Sequence, residues 1–352
     1  MKKNVLIIFI TLILMFTIII LLIPNNPKEN FTTGVSVAPT MDDIISNDSS
    51  WCGTFQLVWN DMKNEVVKKD IVFNPQITMA TNLNKETFNE TMLSSDSYYK
   101  VYGLKTKELK KEIEKNILEK FNQKSDILND FGWDEDSLDN NNFQRYFFYV
   151  MLYKEFEFPK EFTKLTGNFK DKNVDFFGID NNTNEDVNNQ ITVLFYEDDD
   201  NFAISIQTKG NDEIILYKNP LGNTFNEIYT NLENKTNNYK GNNTFYESDT
   251  FKMPIINFNV KREYSELTNK KFSTFDNNEA EIMQAIQTIK FSINEKGGKV
   301  KSEAAIDIKN SLVTINKERK FYLDNTFTLF LKEKEQLKPY LALKIDNIDK
   351  YI

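Results

Sequence analysis

The sequence predicts an α+β fold, with helices mainly in the N-terminal half and antiparallel β-sheets in the C-terminal half. Three observations lead there. Apolar residues recur at helical spacing early in the chain, at Trp51, Phe55, Val58, Trp59, Met62 and Val66, and again at Leu109, Ile113, Ile117 and Phe121. From about residue 143 the spacing changes to that of strands. The stretch GGKVKSEAAIDIKN, residues 297–310, then alternates small or apolar residues with mostly charged ones, without an aromatic residue or a proline.

Composition narrows the function. Apolar residues at 40% and charged residues at 27% give a packed core rather than disorder. A net charge of −9 with no basic patch excludes nucleic acid as a partner, because phosphate binding needs clustered Lys and Arg. Histidine is absent, which removes Ser-His-Asp and Cys-His catalysis and the commonest metal ligand. The single cysteine, Cys52, can form neither an internal disulfide nor a Cys-rich zinc site, and its apolar-periodic context predicts a buried thiol. The acidic YEDDDN, residues 196–201, lacks the ligand spacing of a calcium loop and predicts a turn. No Gly-rich phosphate loop is present. No cofactor, metal or enzyme chemistry is implied.

The elements follow in order. Lys2 and Lys3 precede an uncharged run, Val5 to Ile23, long enough to cross a bilayer. With no small-residue cleavage site after it, residues 1–23 are expected to be an uncleaved signal-anchor with the C-terminal part extracytoplasmic. A cleaved signal and a secreted product are the alternative. Residues 24–49 carry Pro, Asn, Asp, Ser and Thr without periodicity and are expected to be a linker, leaving 50–352 as the folded domain. Within it, DIVFNPQ predicts a short buried strand stopped before Pro75, and 105–122 an amphipathic helix. RYFFYVMLYKEFEF predicts a central strand, and residues 191–217 three strands with polar turns. A weak helix and an Asn-rich loop fill 220–250. Four strands then follow, in IINFNVKREY, QTIKFSINEKG, FTLFLKEK and LALKID.

The order of these segments resembles the serpin family. IKFSINEKGGKVKSEAA is similar to the serpin strand that ends in Asn-Glu-x-Gly and leads into an Ala-rich hinge. FYLDNTFTLFLKEKEQLKPYLALKID is similar to the family's C-terminal stretch, with Phe321, Phe327, Leu329 and Phe330 in its aromatic and apolar places. MPIINFNVKREYSEL, VLFYEDDDNFAISI, VMLYKEFEFPKEF and DIVFNPQ are collinear with further serpin segments, so the resemblance covers roughly 50–348. The chain departs from the family in a shorter stretch between DIVFNPQ and VMLYKEFEF, in SEAA standing four residues late, in Asn325-Thr326 at the usual His-Pro or Arg-Pro step, and in LALKI at the terminus.

The resemblance implies an inhibitor of a serine or cysteine protease; the N-terminal run makes it extracytoplasmic, and the Asn- and Lys-rich composition points to bacteria. The inhibitor would act through an exposed reactive loop that is cut and then inserts as a strand. Gly297 and Gly298 become the hinge. Val300, Ser302, Ala304, Ile306 and Ile308 become the inserted face, all small or apolar. The Ser311–Leu312 bond becomes the reactive bond, for a protease preferring small or aliphatic residues. The alternation supports this register independently, since a one-residue slip would bury Lys299, Lys301, Glu303, Asp307 and Lys309. A non-inhibitory serpin-like binding protein at the cell surface, or an unrelated membrane-anchored envelope protein, are the alternatives.

Overall fold

The structure is a computed structural model that describes residues 31–133, 144–181, 185–298 and 318–352. Its class is α+β. The N-terminal part contributes β1 (Ser36–Val37), β2 (Ser49–Cys52), helix α1 (Thr54–Asp61), helix α2 (Thr78–Leu83), β3 (Tyr98–Leu104), helix α3 (Lys107–Phe121) and β4 (Tyr146–Leu152). The middle contributes β5 (Phe156–Glu157), β6 (Thr163–Phe169), β7 (Lys172–Ile179), β8 (Ile191–Asp198), β9 (Asn201–Gln207), β10 (Asp212–Lys218) and helix α4 (Phe225–Asn238). The remainder is β11 (Thr250–Pro254), β12 (Ile256–Glu263), β13 (Lys270–Ser273), β14 (Glu279–Ile282), β15 (Ile286–Ile293), β16 (Gly297–Gly298), β17 (Lys320–Tyr322), β18 (Phe327–Glu333) and β19 (Leu341–Ile345).

A seven-stranded sheet in the order β1-β2-β19-β18-β10-β9-β8 forms the centre. Its middle strands are apolar on both faces, so Ile204, Ile214, Leu216, Leu329, Phe330 and Leu343 are fully buried. A four-stranded sheet, β17-β11-β7-β6, adds Phe177, Phe251 and Phe321 to the same core. The two-stranded sheets β12-β15 and β3-β4 complete the part that matters for function. The first adds Phe258, Ile289, Phe291 and Ile293 to the main core. The second has a separate core on one face, where Phe147 and Tyr149 meet Leu109, Ile113 and Ile117 of α3 together with Trp133. The 105–122 helix therefore forms where its apolar row predicts, with Thr106 as its N-cap accepting from Leu109 N.

Two expectations are corrected. The expected linker 24–49 is folded from Thr32 onward. Ser36 N donates to Asp48 O and Ala38 N to Ser50 O, while the Asp48 carboxylate accepts from Asp346 N, Asn347 N and Lys350 Nζ. Hydroxyl and carboxylate side chains satisfy this backbone, so no apolar period marks it. DIVFNPQ is not a strand. Ile71 N donates to Asn84 Oδ1, Asn84 Nδ2 donates to Ile71 O, and Phe73 N donates to Gln76 Oε1. Side-chain amides replace the ladder, although Ile71 and Phe73 are buried as their pattern predicts. Cys52 is buried and free, and burial pushes its thiol up. Among the described residues no helix is long and apolar enough to cross a membrane. The run Val5 to Ile23 lies outside them.

Candidate functional site

At the end of β15 the chain turns back on itself. Gly297 N donates to Asn294 O at 3.1 Å and Asn294 N to Gly297 O at 3.3 Å, closing a two-residue turn over Glu295 and Lys296. The returning strand β16 pairs antiparallel with β5, Gly297 opposite Glu157 and Gly298 opposite Phe156. β16 thus lies between β15 and β5 and runs against both. Glycine is required at Gly297. Its φ is +110°, and a Cβ there would stand 2.5 Å from Phe156 O and 2.8 Å from Glu157 Cα.

The turn is fixed from outside. Phe158 N donates to Lys296 O at 3.0 Å and Phe162 N to Glu295 O at 2.9 Å. The Glu295 carboxylate is buried and meets Lys164 Nζ at 3.2 Å. Glu157 on β5 is paired with Lys209 at 2.7 Å.

β4 has a ladder with β3 and β15 has one with β12, but among the described residues β4 and β15 share none. On the face of β4 away from α3, Tyr146 is 41% exposed and Phe148, Val150 and Leu152 are half-buried. Phe147 and Tyr149, on the α3 side, are buried. On the face away from α3, Val150 and Leu152 pack against the main core.

A buried ionic network fixes the β4–β5 link to the central sheet. Lys154 Nζ lies 2.7 Å from Asp212 Oδ1 and 2.6 Å from Glu333 Oε1, over the Tyr340 ring. Tyr340 OH donates to Asp212, and Ser94 N, Ser94 Oγ and Ser97 Oγ donate to Glu333. Just before β17, Arg319 is clamped. Its guanidinium donates to both Asp249 oxygens, to Asn242 O and to Thr244 O, among the rings of Tyr196, Tyr246 and Phe321. The Asp249 side chain is fully buried.

Of the residues singled out by sequence, Gly297 and Gly298 form β16, paired with β5. Val300, Ser302, Ala304, Ile306, Ile308, Ser311 and Leu312 lie outside the described residues. Sequence reasoning missed Phe156, Glu295, Lys154, Glu333 and Arg319. For Arg319 a signal existed, since it is one of three arginines in a lysine-rich chain and arginine is the residue for multidentate buried pairing.

No family model matches the chain, and no curated protein matches it. It is similar to solved structures of thyroxine-binding globulin in complex with thyroxine, at 11% identity and TM-score 0.42 over 68% of this chain and 64% of that one. It therefore spans less than two thirds of that protein's length. Similarity to the human thyroxine-binding globulin complex is 12% identity and TM-score 0.42, over 82% of this chain and 95% of that one. Similarity to Serpin48, a highly specific serpin of the insect Tenebrio molitor, is 13% identity and TM-score 0.42, over 72% and 78%.

The network makes a pH prediction. Burial alone would raise the Glu333 carboxyl, but hydrogen bonds from Lys154 and Ser94 outweigh it and hold the group below the usual glutamate range. A depressed folded pKa contributes stability fully present above the unfolded value of about 4.3 and lost as pH falls through the folded value. Melting temperatures of wild type and Glu333→Gln should differ clearly at neutral pH and converge in acid. A constant gap across pH 3 to 7 would contradict the assignment.

Proposed function

We propose that this protein is a serpin-like inhibitor of a serine or cysteine protease. It presents residues 299–317 as a cleavable loop whose N-terminal part inserts as a strand between β4 and β15. It is not an enzyme, and no cofactor takes part. The supporting observation is β16 itself. Two residues of that strand are already in place, antiparallel to both neighbours, with Gly298 opposite the buried Phe156.

That pairing sets a register. Directly opposed residues of an antiparallel pair share a face. Carried down β4 without a bulge, the pairing of Gly298 with Phe156 brings Ser302 opposite Leu152, Ala304 opposite Val150, Ile306 opposite Phe148 and Ile308 opposite Tyr146. The small and apolar row of the loop then shares one face with the apolar row of β4. On β15, the Asn294–Gly297 bridge brings Val300 opposite Phe291 and Ser302 opposite Ile289, both buried. Lys299, Lys301, Glu303 and Asp307 take the other face. Insertion satisfies the facing backbone edges of β4 and β15 and covers apolar surface, worth about 25 cal/mol per Å².

Cleavage at Ser311–Leu312 frees the strand to move. A protease that takes small or aliphatic side chains fits that bond. The length of the uncharged run Val5 to Ile23 supports a single-pass membrane protein with this domain extracytoplasmic, a folded part that guards the surface of its own cell.

Cutting the loop should raise the melting temperature sharply. In Ala304→Glu and Ile306→Lys that rise should shrink or vanish, because each buries an unpaired charge costing several kcal/mol. Charge reversal at Lys301 or Asp307 should change it little. Equal tolerance on both faces would remove the register, and no rise in the cut wild type would leave a non-inhibitory binding protein as the reading.

Location is tested separately. The intact protein should sediment with membranes, and protease added to cells stripped of any outer wall should digest the domain. A domain protected from that protease would exclude an extracytoplasmic role.

A further inference from the structure

A cavity lies on the four-stranded sheet, apart from β4, β5, β15 and β16. Gly167, Asn168, Phe176, Lys252, Tyr322 and Asp324 line it, and its volume is about 360 Å³. The register brings these residues together. Gly167 lies opposite Val174, two residues along from the Leu165–Phe176 pair, and Lys252 lies between Gly178 and Tyr322. These positions alternate with Phe177, Phe251 and Phe321, which pack with Phe162 and Phe202 inside the main core. Gly167, Phe176, Lys252 and Tyr322 therefore share the other face. A glycine inside a strand often marks the close approach of another group. A Cβ on Gly167 would stand 3.5 Å from Phe176 Cε2, an ordinary contact, so the strand itself does not require a glycine there.

Charge selects the ligand. Lys252 Nζ stands 4.9 Å from the centre of the Tyr322 ring, and among the described residues its ammonium has neither a carboxylate partner nor a hydrogen bond. Tyr322 is fixed beneath it, since Thr250 Oγ1 donates to Tyr322 OH at 3.0 Å. The carboxylate on the other wall is already engaged, with Asp324 Oδ1 2.7 Å from the Nζ of the buried Lys218. The uncompensated charge of the cavity is thus a single positive one. Asn168 Oδ1 accepts from Asn173 Nδ2 at 3.3 Å, which leaves the Asn168 amide as a donor. We infer that this cavity binds a small aromatic carboxylate. Lys252 and Asn168 take the carboxylate, and the ring lies against Phe176, Gly167 and Tyr322. The volume falls within the roughly 300–1,000 Å³ of small-molecule sites, and an apolar floor with a few convergent polar groups is their usual lining. One uncompensated cation suits a monoanion, whereas a phosphate dianion would hold a second negative charge beside Asp324.

Equilibrium dialysis of the full-length protein in detergent against phenylacetate tests this, with uptake by detergent alone subtracted. Wild type should bind one equivalent saturably. Phenylacetamide, which keeps the shape without the charge, and acetate, which keeps the charge without the ring, should each bind at least about tenfold more weakly, the factor expected when a hydrogen bond to a charged group or a buried ring is lost. Lys252→Gln should weaken phenylacetate binding by about the same factor. Gly167→Leu should abolish it by filling the cavity. Lys115→Gln, at a solvated lysine of α3, should leave it unchanged. No saturable binding by wild type would overturn the inference. So would wild-type affinity in either Lys252→Gln or Gly167→Leu, or an equal loss in Lys115→Gln. Lys252 is a half-buried surface residue, so Lys252→Gln keeps the comparison should Gly167→Leu not fold. Loop insertion is read separately, from the melting temperature of the cut protein, and stands or falls without this site.

Discussion

Backbone groups at a strand edge need partners. Among the described residues β4 is paired with β3, β15 with β12, and β16 with β5 while bridged to the end of β15. β15 is tied down through Ile289, Phe291 and Ile293, which belong to the same core as the seven-stranded sheet. β4 is backed by α3 through a core of its own and is joined to the central sheet by Lys154, Asp212 and Glu333.

The two kinds of attachment differ in consequence. Apolar packing is non-directional and resists water at every point, whereas a buried ion pair depends on both partners keeping their geometry and charge. Ion pairs also tie the β3–β4 sheet to α1 and the loop after α2, through Lys100 with Asp61 and Glu90. The β3–β4 half has its own core and these ionic links, and Tyr98, Val150 and Leu152 also pack against the main core. In the β12–β15 half Phe258 and Phe291 pack together inside the main core.

Much of this was legible in the sequence. The alternation of residues 256–260 and 289–293 marked β12 and β15, and the four-residue repeat of Leu109, Ile113 and Ile117 marked α3 with its buried face. The glycine pair stood out in the sequence, and the structure puts both glycines in β16 against β5. What stayed hidden depends on contacts distant in sequence. Residues 32–49 fold because Asp48 meets three donors in the last seven residues of the chain, and no local period records that. DIVFNPQ has the apolar pattern of a strand, but Asn84 and Gln76 take its backbone bonds. Lys154, Glu333 and Arg319 are charged residues in a chain rich in charge. Only the fold separates buried partners such as Lys154 and Glu333 from a solvated pair such as Lys115 and Glu119.

The central claim is that the facing edges of β4 and β15 gain a strand when the loop is cut. Amide hydrogen exchange measured across Tyr146–Leu152 and Ile286–Ile293, in intact protein and after cleavage of the loop, tests it directly. The account predicts that amides on the facing edges exchange in the intact protein and become strongly protected after cleavage, while those already bonded to β3 and β12 change little. Exchange that is the same before and after cleavage would contradict it.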